Sequence, residues 1–111
     1  MIHTIRDRAT ADQMSEMLEQ LESYVKLAVD VRRSVLAGGA ALHADCEAAL
    51  LDDGSAQADI WGADWIPSTQ EVTYESLINL RPGQGNLALE VQDPGLREQI
   101  ATVVERLLGG V

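Results

Sequence analysis

Apolar positions along the chain change period several times, and each change marks an element. Residues 2–6 read as a short strand. Met14, Met17, Leu18, Leu21 and Val25 then recur at helical spacing, with Glu16, Glu19 and Glu22 mostly on the opposite side. Thr10-Ala-Asp-Gln13 ahead of them fits a capping box, in which hydroxyl and amide satisfy two orphan backbone N–H groups reciprocally. A first helix is therefore predicted over residues 10–23. From Val25 the period becomes two: Val25, Leu27, Val29 and Val31 alternate with Lys26, Ala28, Asp30 and Arg32, which predicts a strand with one buried face. Arg32-Arg33 breaks the alternation and Val35-Leu36 resumes it out of phase, so a β-bulge is expected before Gly38-Gly39 ends the strand.

Leu42, Cys46, Ala49 and Leu50 form the inner stripe of a second short helix, with Asp45 near its start and Gly54 at its end. Residues 57–61 predict a third strand, and 62–67 a turn or irregular crossing. Residues 71–81 alternate again, with Val72, Tyr74, Ser76, Ile78 and Leu80 on one side and Glu75, Asn79 and Arg81 on the other. The turn chemistry of Pro82-Gly-Gln-Gly-Asn86 follows, then Leu87, Leu89 and Val91 alternate back, which predicts a β-hairpin. Asp93-Pro94 is an N-cap with proline at the first helical position, where its missing N–H costs nothing. Leu96, Ile100, Val103, Val104 and Leu107 continue as a stripe to Gly109-Gly110. The order β-α-β-α-β-β-β-α predicts a single α+β domain over residues 1–111, built as two layers, with a mainly antiparallel sheet and helices on one face.

Composition narrows the class. The 111 residues are 46% apolar, enough for one domain to bury a core without staples. Against 8 Lys+Arg stand 18 Asp+Glu, a net charge of −10. That disfavours binding to nucleic acid or to an anionic membrane surface, both of which need a basic footprint. Residues 34–80 hold eight acids and no Lys or Arg. Such a field attracts a basic partner, and a merely solubilising face is its competing explanation. One cysteine excludes an internal disulfide and a multi-Cys zinc site. Charge in the first turns and the absence of a long apolar run lead to an expected cytoplasmic location.

His43-Ala-Asp45-Cys46-Glu47 is the densest group of reactive side chains. Cys46 is in phase with Leu42 and Leu50, so a small buried hydrophobe outweighs a nucleophile. His43 and Glu47 are four apart, which suggests a pair on the helix surface. His43, Asp45, Glu47, Asp52, Asp53, Asp59 and Asp64 supply nitrogen and oxygen donors for a metal but match no recognised ligand spacing, and no cofactor is expected. Trp61-Gly-Ala-Asp64-Trp65 stands out in a chain without phenylalanine. The two indoles suit an interface or a ligand wall as well as a core, and Asp64 is placed to accept an indole N–H. The candidate binding surface is thus His43, Asp45, Asp59, Trp61, Asp64, Trp65 and Arg81.

Lys26-Leu-Ala-Val-Asp30, Leu36-Ala-Gly-Gly39, His43-Ala-Asp-Cys-Glu47, Trp61-Gly-Ala-Asp-Trp65 and Tyr74-Glu-Ser-Leu-Ile-Asn-Leu-Arg-Pro82 together resemble a family of small bacterial proteins, frequent in cyanobacteria, whose domain has no known function. The resemblance implies a bacterial cytoplasmic protein and supplies no activity, cofactor or catalytic residue. The residues themselves lead to two expectations. The first is a small acidic binding module that self-associates, as a homodimer, or engages a basic protein. The alternative is a small enzyme with a His/carboxylate site, with or without a divalent metal, around His43, Asp45 and Asp59.

Overall fold

The computed structural model covers residues 1–111. It contains β1 (His3–Ile5), α1 (Ala11–Met17), β2 (Val25–Asp30), β3 (Val35–Gly38), α2 (His43–Asp52), β4 (Ile60–Ile66), β5 (Glu71–Thr73) and α3 (Pro94–Leu108), with single 3-10 turns at Gln57–Asp59, Leu77–Asn79 and Pro82–Gln84. The five strands form one antiparallel sheet in the order β1-β3-β2-β4-β5. The α+β class, the antiparallel sheet and the numbers of strands and helices agree with the sequence pattern. No helix is long and apolar enough to cross a membrane.

Local signals account for the helix starts. Thr10 and Gln13 form the capping box, with Gln13 N donating to Thr10 Oγ1 at 3.1 Å and Thr10 N to Gln13 Oε1 at 2.9 Å. Asp93 caps α3 by accepting from Gly95 N at 2.9 Å. α1 ends at Met17, short of the expected 23, because the chain must turn back toward the sheet. Glu22 takes a left-handed conformation at φ 64° just before β2.

The predicted bulge at Arg32-Arg33 is instead the turn between two strands. Asp30 Oδ1 accepts from Arg32 N (2.9 Å) and Arg33 N (2.8 Å), and Ser34 N donates to Asp30 O at 2.9 Å. The phase change follows from reversal of direction: Val29 pairs with Leu36 and Asp30 with Val35.

The helices are divided between the two faces of the sheet, rather than gathered on one. Val25, Leu27, Val29, Leu36, Trp61, Ala63 and Trp65 pack with Met14 and Met17 of α1 and with Ile100, Val103, Val104 and Leu107 of α3. Ala28, Val35, Ala37 and Ile60 pack on the other side with Cys46 and Leu50 of α2. The alternation misleads because Ala28 and Ala37 sit where a solvated strand would carry polar residues. Their small side chains let α2 lie close, and the central strands are buried on both sides.

Two further elements differ from the pattern. The strand expected over 57–61 and the turn over 62–67 are one seven-residue strand, β4, paired to β2 from Ile60 to Trp65. The hairpin expected over 71–91 is mostly loop. β5 uses β4 as its partner, and the rest makes only isolated bridges, Glu75 with Glu90 and Arg81 with Asn86. This loop covers the stretch of β4 that β5 is too short to reach. Buried Asn79 replaces a strand there: its Oδ1 accepts from Gly62 N at 2.7 Å and its Nδ2 donates to Gly62 O at 3.0 Å. Buried Asn86 ties the loop to itself, donating to the carbonyls of Asn79, Ala88 and Glu90 and accepting from Gln92 N. Gly62 is needed because a Cβ there would lie 2.5 Å from Ser76 Cβ.

Candidate functional site

α2 covers β2, β3 and the near part of β4, and leaves the β4–β5 end of that sheet face open. The loop after β5 forms an opposite wall. Between them is a groove of about 730 Å³, lined by Lys26, Leu42 and His43 on one side and by Tyr74, Glu75, Leu77, Ile78, Leu89 and Glu90 on the other, with Asp64 and Thr73 in its floor. Leu77 and Ile78 also border a second, separate hollow of about 340 Å³ lined by Leu80, Arg81 and Gln84.

The floor is fixed by strand register. Lys26, Asp64 and Thr73 stand opposite one another on β2, β4 and β5, so all three point to the α2 face. His43, in the first turn of α2, reaches down to this row. Its Nε2 lies 2.9 Å from Asp64 Oδ1 and 3.1 Å from Ala63 O. A carbonyl oxygen only accepts, so Nε2 carries a hydrogen and is the donor to both oxygens. Thr73 Oγ1 donates to Asp64 Oδ2 at 3.2 Å. The carboxylate therefore sits between imidazole and hydroxyl. An acyl-transfer triad needs the imidazole in the middle, next to the nucleophile, and this order does not activate Thr73.

Apolar side chains crowd the rim. Leu77 is 78% exposed, Leu42 58% and Leu89 37%, and Leu80 and Leu87 on the same loop are exposed too. Three carboxylates line the groove (Asp64, Glu75, Glu90) against one cation, Lys26. Glu75 and Lys26 make no ion pair, and Glu90 makes one with Arg97 at 3.3 Å. Arg97 also stacks on Tyr74 at 5.0 Å from the ring centre. Burial pushes the Tyr74 hydroxyl pKa up.

A family model matches residues 3–107. The chain belongs to the DUF5674 family of proteins of unknown function. No curated protein and no solved structure matches it.

Of the seven candidate residues, only His43 and Asp64 line the groove. Asp45 is exposed on α2, outside it. Asp59 lies at the opposite end of β4, ion-paired to Arg32 at 3.0 Å. Trp61 and Trp65 fall on the other face of the sheet, in the core with α1 and α3, because residues 61 and 65 alternate against residue 64 along β4. For the same reason Asp64 receives no indole N–H, and that of Trp65 has no partner. Arg81 braces the loop from its edge. It stacks over Trp61 at 4.5 Å and donates to Ile78 O, Gln57 O and Glu47 Oε2 at 2.8, 2.9 and 3.3 Å. Burial lowers the Arg81 pKa and the facing Glu47 opposes that. The His43–Glu47 pair suggested by spacing is replaced by His43–Asp64 and Arg81–Glu47.

Cys46 is fully buried, its thiol donating to Lys26 O at 3.4 Å, and burial pushes its pKa up. A thiol held protonated and out of water is no nucleophile. No three His, Cys, Asp or Glu side chains gather as metal ligands. Sequence reasoning missed Lys26, Leu42, Thr73, Glu75, Leu77, Leu89 and Glu90 as groove residues. The available signal was leucine density in a stretch rich in Pro, Gly and Asn, where loop chemistry predicts exposure.

Proposed function

We propose that this protein is a non-catalytic binding module and that the groove between α2 and the 74–90 loop is its working surface. The observation that carries this reading is the ring of exposed leucines. Covering half of the exposed surface of Leu42, Leu77 and Leu89 is worth about 1–3 kcal/mol, and monomeric proteins seldom leave such side chains grouped in water. The loop that presents Leu77 and Leu89 is held by Asn79 and Asn86, so little ordering cost falls on binding. Its place of action is the cytoplasm, in keeping with a single unpaired thiol.

The test uses a neutral apolar dye, Nile red, followed by amide NMR. Shifts confined to Leu42, His43, residues 73–78 and Leu89, and lost in Leu42→Ser/Leu77→Ser, are expected. Dye binding elsewhere, or binding unchanged in that variant, would overturn the reading.

The enzyme reading retains one observation in its favour. His43 is oriented by Asp64 through Nε2, the imidazole–carboxylate pairing that a general base uses. Asp45 and Asp59, its expected partners, stand elsewhere. It requires hydrolysis of some ester or phosphoester in a chromogenic panel, lost in His43→Gln.

A further inference from the structure

We propose that the groove takes a basic amphipathic segment of another protein. Leucine-sized side chains of that segment lie against Leu42, Leu77 and Leu89, and a lysine or arginine lies against Glu75 and Glu90. This rests on the groove being the binding surface and names what fills it.

Charge selects the occupant. Three carboxylates line the groove against one ammonium. Asp64 is already engaged by His43 and Thr73. Glu75 is exposed and unpaired, and Glu90 shares one exposed contact with Arg97. These two carboxylates sit on adjacent segments, joined by the Glu75–Glu90 backbone bridge, so they present two negative charges side by side on the loop wall. Arg81 is committed to four main-chain and side-chain acceptors and to Trp61, and Arg97 to Val91 O and Tyr74. Neither is free to receive an anion. The remaining donors, Lys26 and the uncapped first turn of α2, lie on the opposite wall, where Asp45 already offsets the helix terminus. The whole chain, at −10, steers a cationic segment inward and repels an acidic one.

The same charge argues against a second copy in this groove. A two-fold contact centred on the groove would set Glu75 and Glu90 of each copy near those of the other, and like charges across an interface are costly.

The experiment compares two synthetic helical peptides with identical leucine positions. One carries lysines at its polar positions and the other glutamates. Binding is read by calorimetry and by amide shifts on the intact protein. The lysine peptide is expected to shift the groove amides and to bind about tenfold or more tightly than its acidic counterpart. It should weaken about five- to tenfold in Glu75→Gln/Glu90→Gln, the scale of two exposed ion pairs. It should weaken further between about 50 and about 500 mM salt. Both substituted side chains are exposed, so the variant leaves the fold intact. Equal or tighter binding of the acidic peptide, an unaffected double variant, or no binding of either peptide would overturn the proposal. So would self-association of the protein that shields the groove amides. Where Nile red still maps to the groove, such a failure removes only the basic segment. Where the dye fails as well, the groove itself falls as the binding surface.

Discussion

Replacing Asn79 with alanine tests how the open edge of β4 is closed. In the wild type one buried amide serves Gly62 N–H, Gly62 C=O and Tyr74 C=O, at 2.7, 3.0 and 3.1 Å. Alanine leaves the first two as buried backbone groups without partners, and each orphan costs about 1–3 kcal/mol. The expected loss is about 3–4 kcal/mol, a large part of the stability of a domain this size. In thermal terms that is a midpoint lower by about 15 °C. Urea unfolding followed by tryptophan fluorescence gives the free energy, and hydrogen exchange at the Gly62 amide gives the local effect. Asn79→Leu separates the causes. It restores volume but leaves the same orphans, so it should be destabilised about as much as alanine. A loss under about 1 kcal/mol in Asn79→Ala, with the Gly62 amide still protected, would refute the reasoning. Full tolerance of leucine would show that filled volume, and not hydrogen bonding, holds the loop.

Three other expectations follow from single contacts. Gly62→Ala should cost about 1–3 kcal/mol by overpacking, because its methyl meets Ser76 Cβ at 2.5 Å, and adding Ser76→Gly should recover part of the loss in the same urea assay. Asp53 is held below the usual carboxylate pKa, chiefly by its hydrogen bond from Arg33 and also by Arg6. A depressed folded pKa stabilises the protein above the unfolded value of about 3.9 and loses that contribution as pH falls through the folded value. The melting difference between wild type and Asp53→Asn should therefore be constant from about pH 7 to about pH 5 and shrink below about pH 4; a difference that grows with acid would contradict the sign. Cys46 should react with a thiol reagent only at the rate of unfolding, so rapid labelling of the native protein would show that the thiol is not buried.

The sequence by itself determined what depends on neighbours a few residues away. The capping box at Thr10 and Gln13, the Asp93-Pro94 start of α3, the stripe from Ile100 to Leu107 and the alternation along β2 are all local relations, and the structure keeps them. Cys46 was legible as a buried hydrophobe for the same reason. Tertiary structure decided what depends on partners far along the chain. Alternation at residues 72–80 and 87–91 fits a hairpin. It also fits a loop, once β4 has supplied β5 with a partner and Asn79 has taken the place of a strand. Nothing near Ala28 or Ala37 says whether a helix or water covers a small side chain. His43 could be paired from spacing only with Glu47; its partner, Asp64, comes from a strand 21 residues on, brought under α2 by the β2–β4 register. Parity within β4 put Asp64 in the groove and both indoles in the opposite core. The groove was hidden for the same physical reason: its leucines carry the pattern of buried residues, and only the packing shows that nothing in this chain covers them.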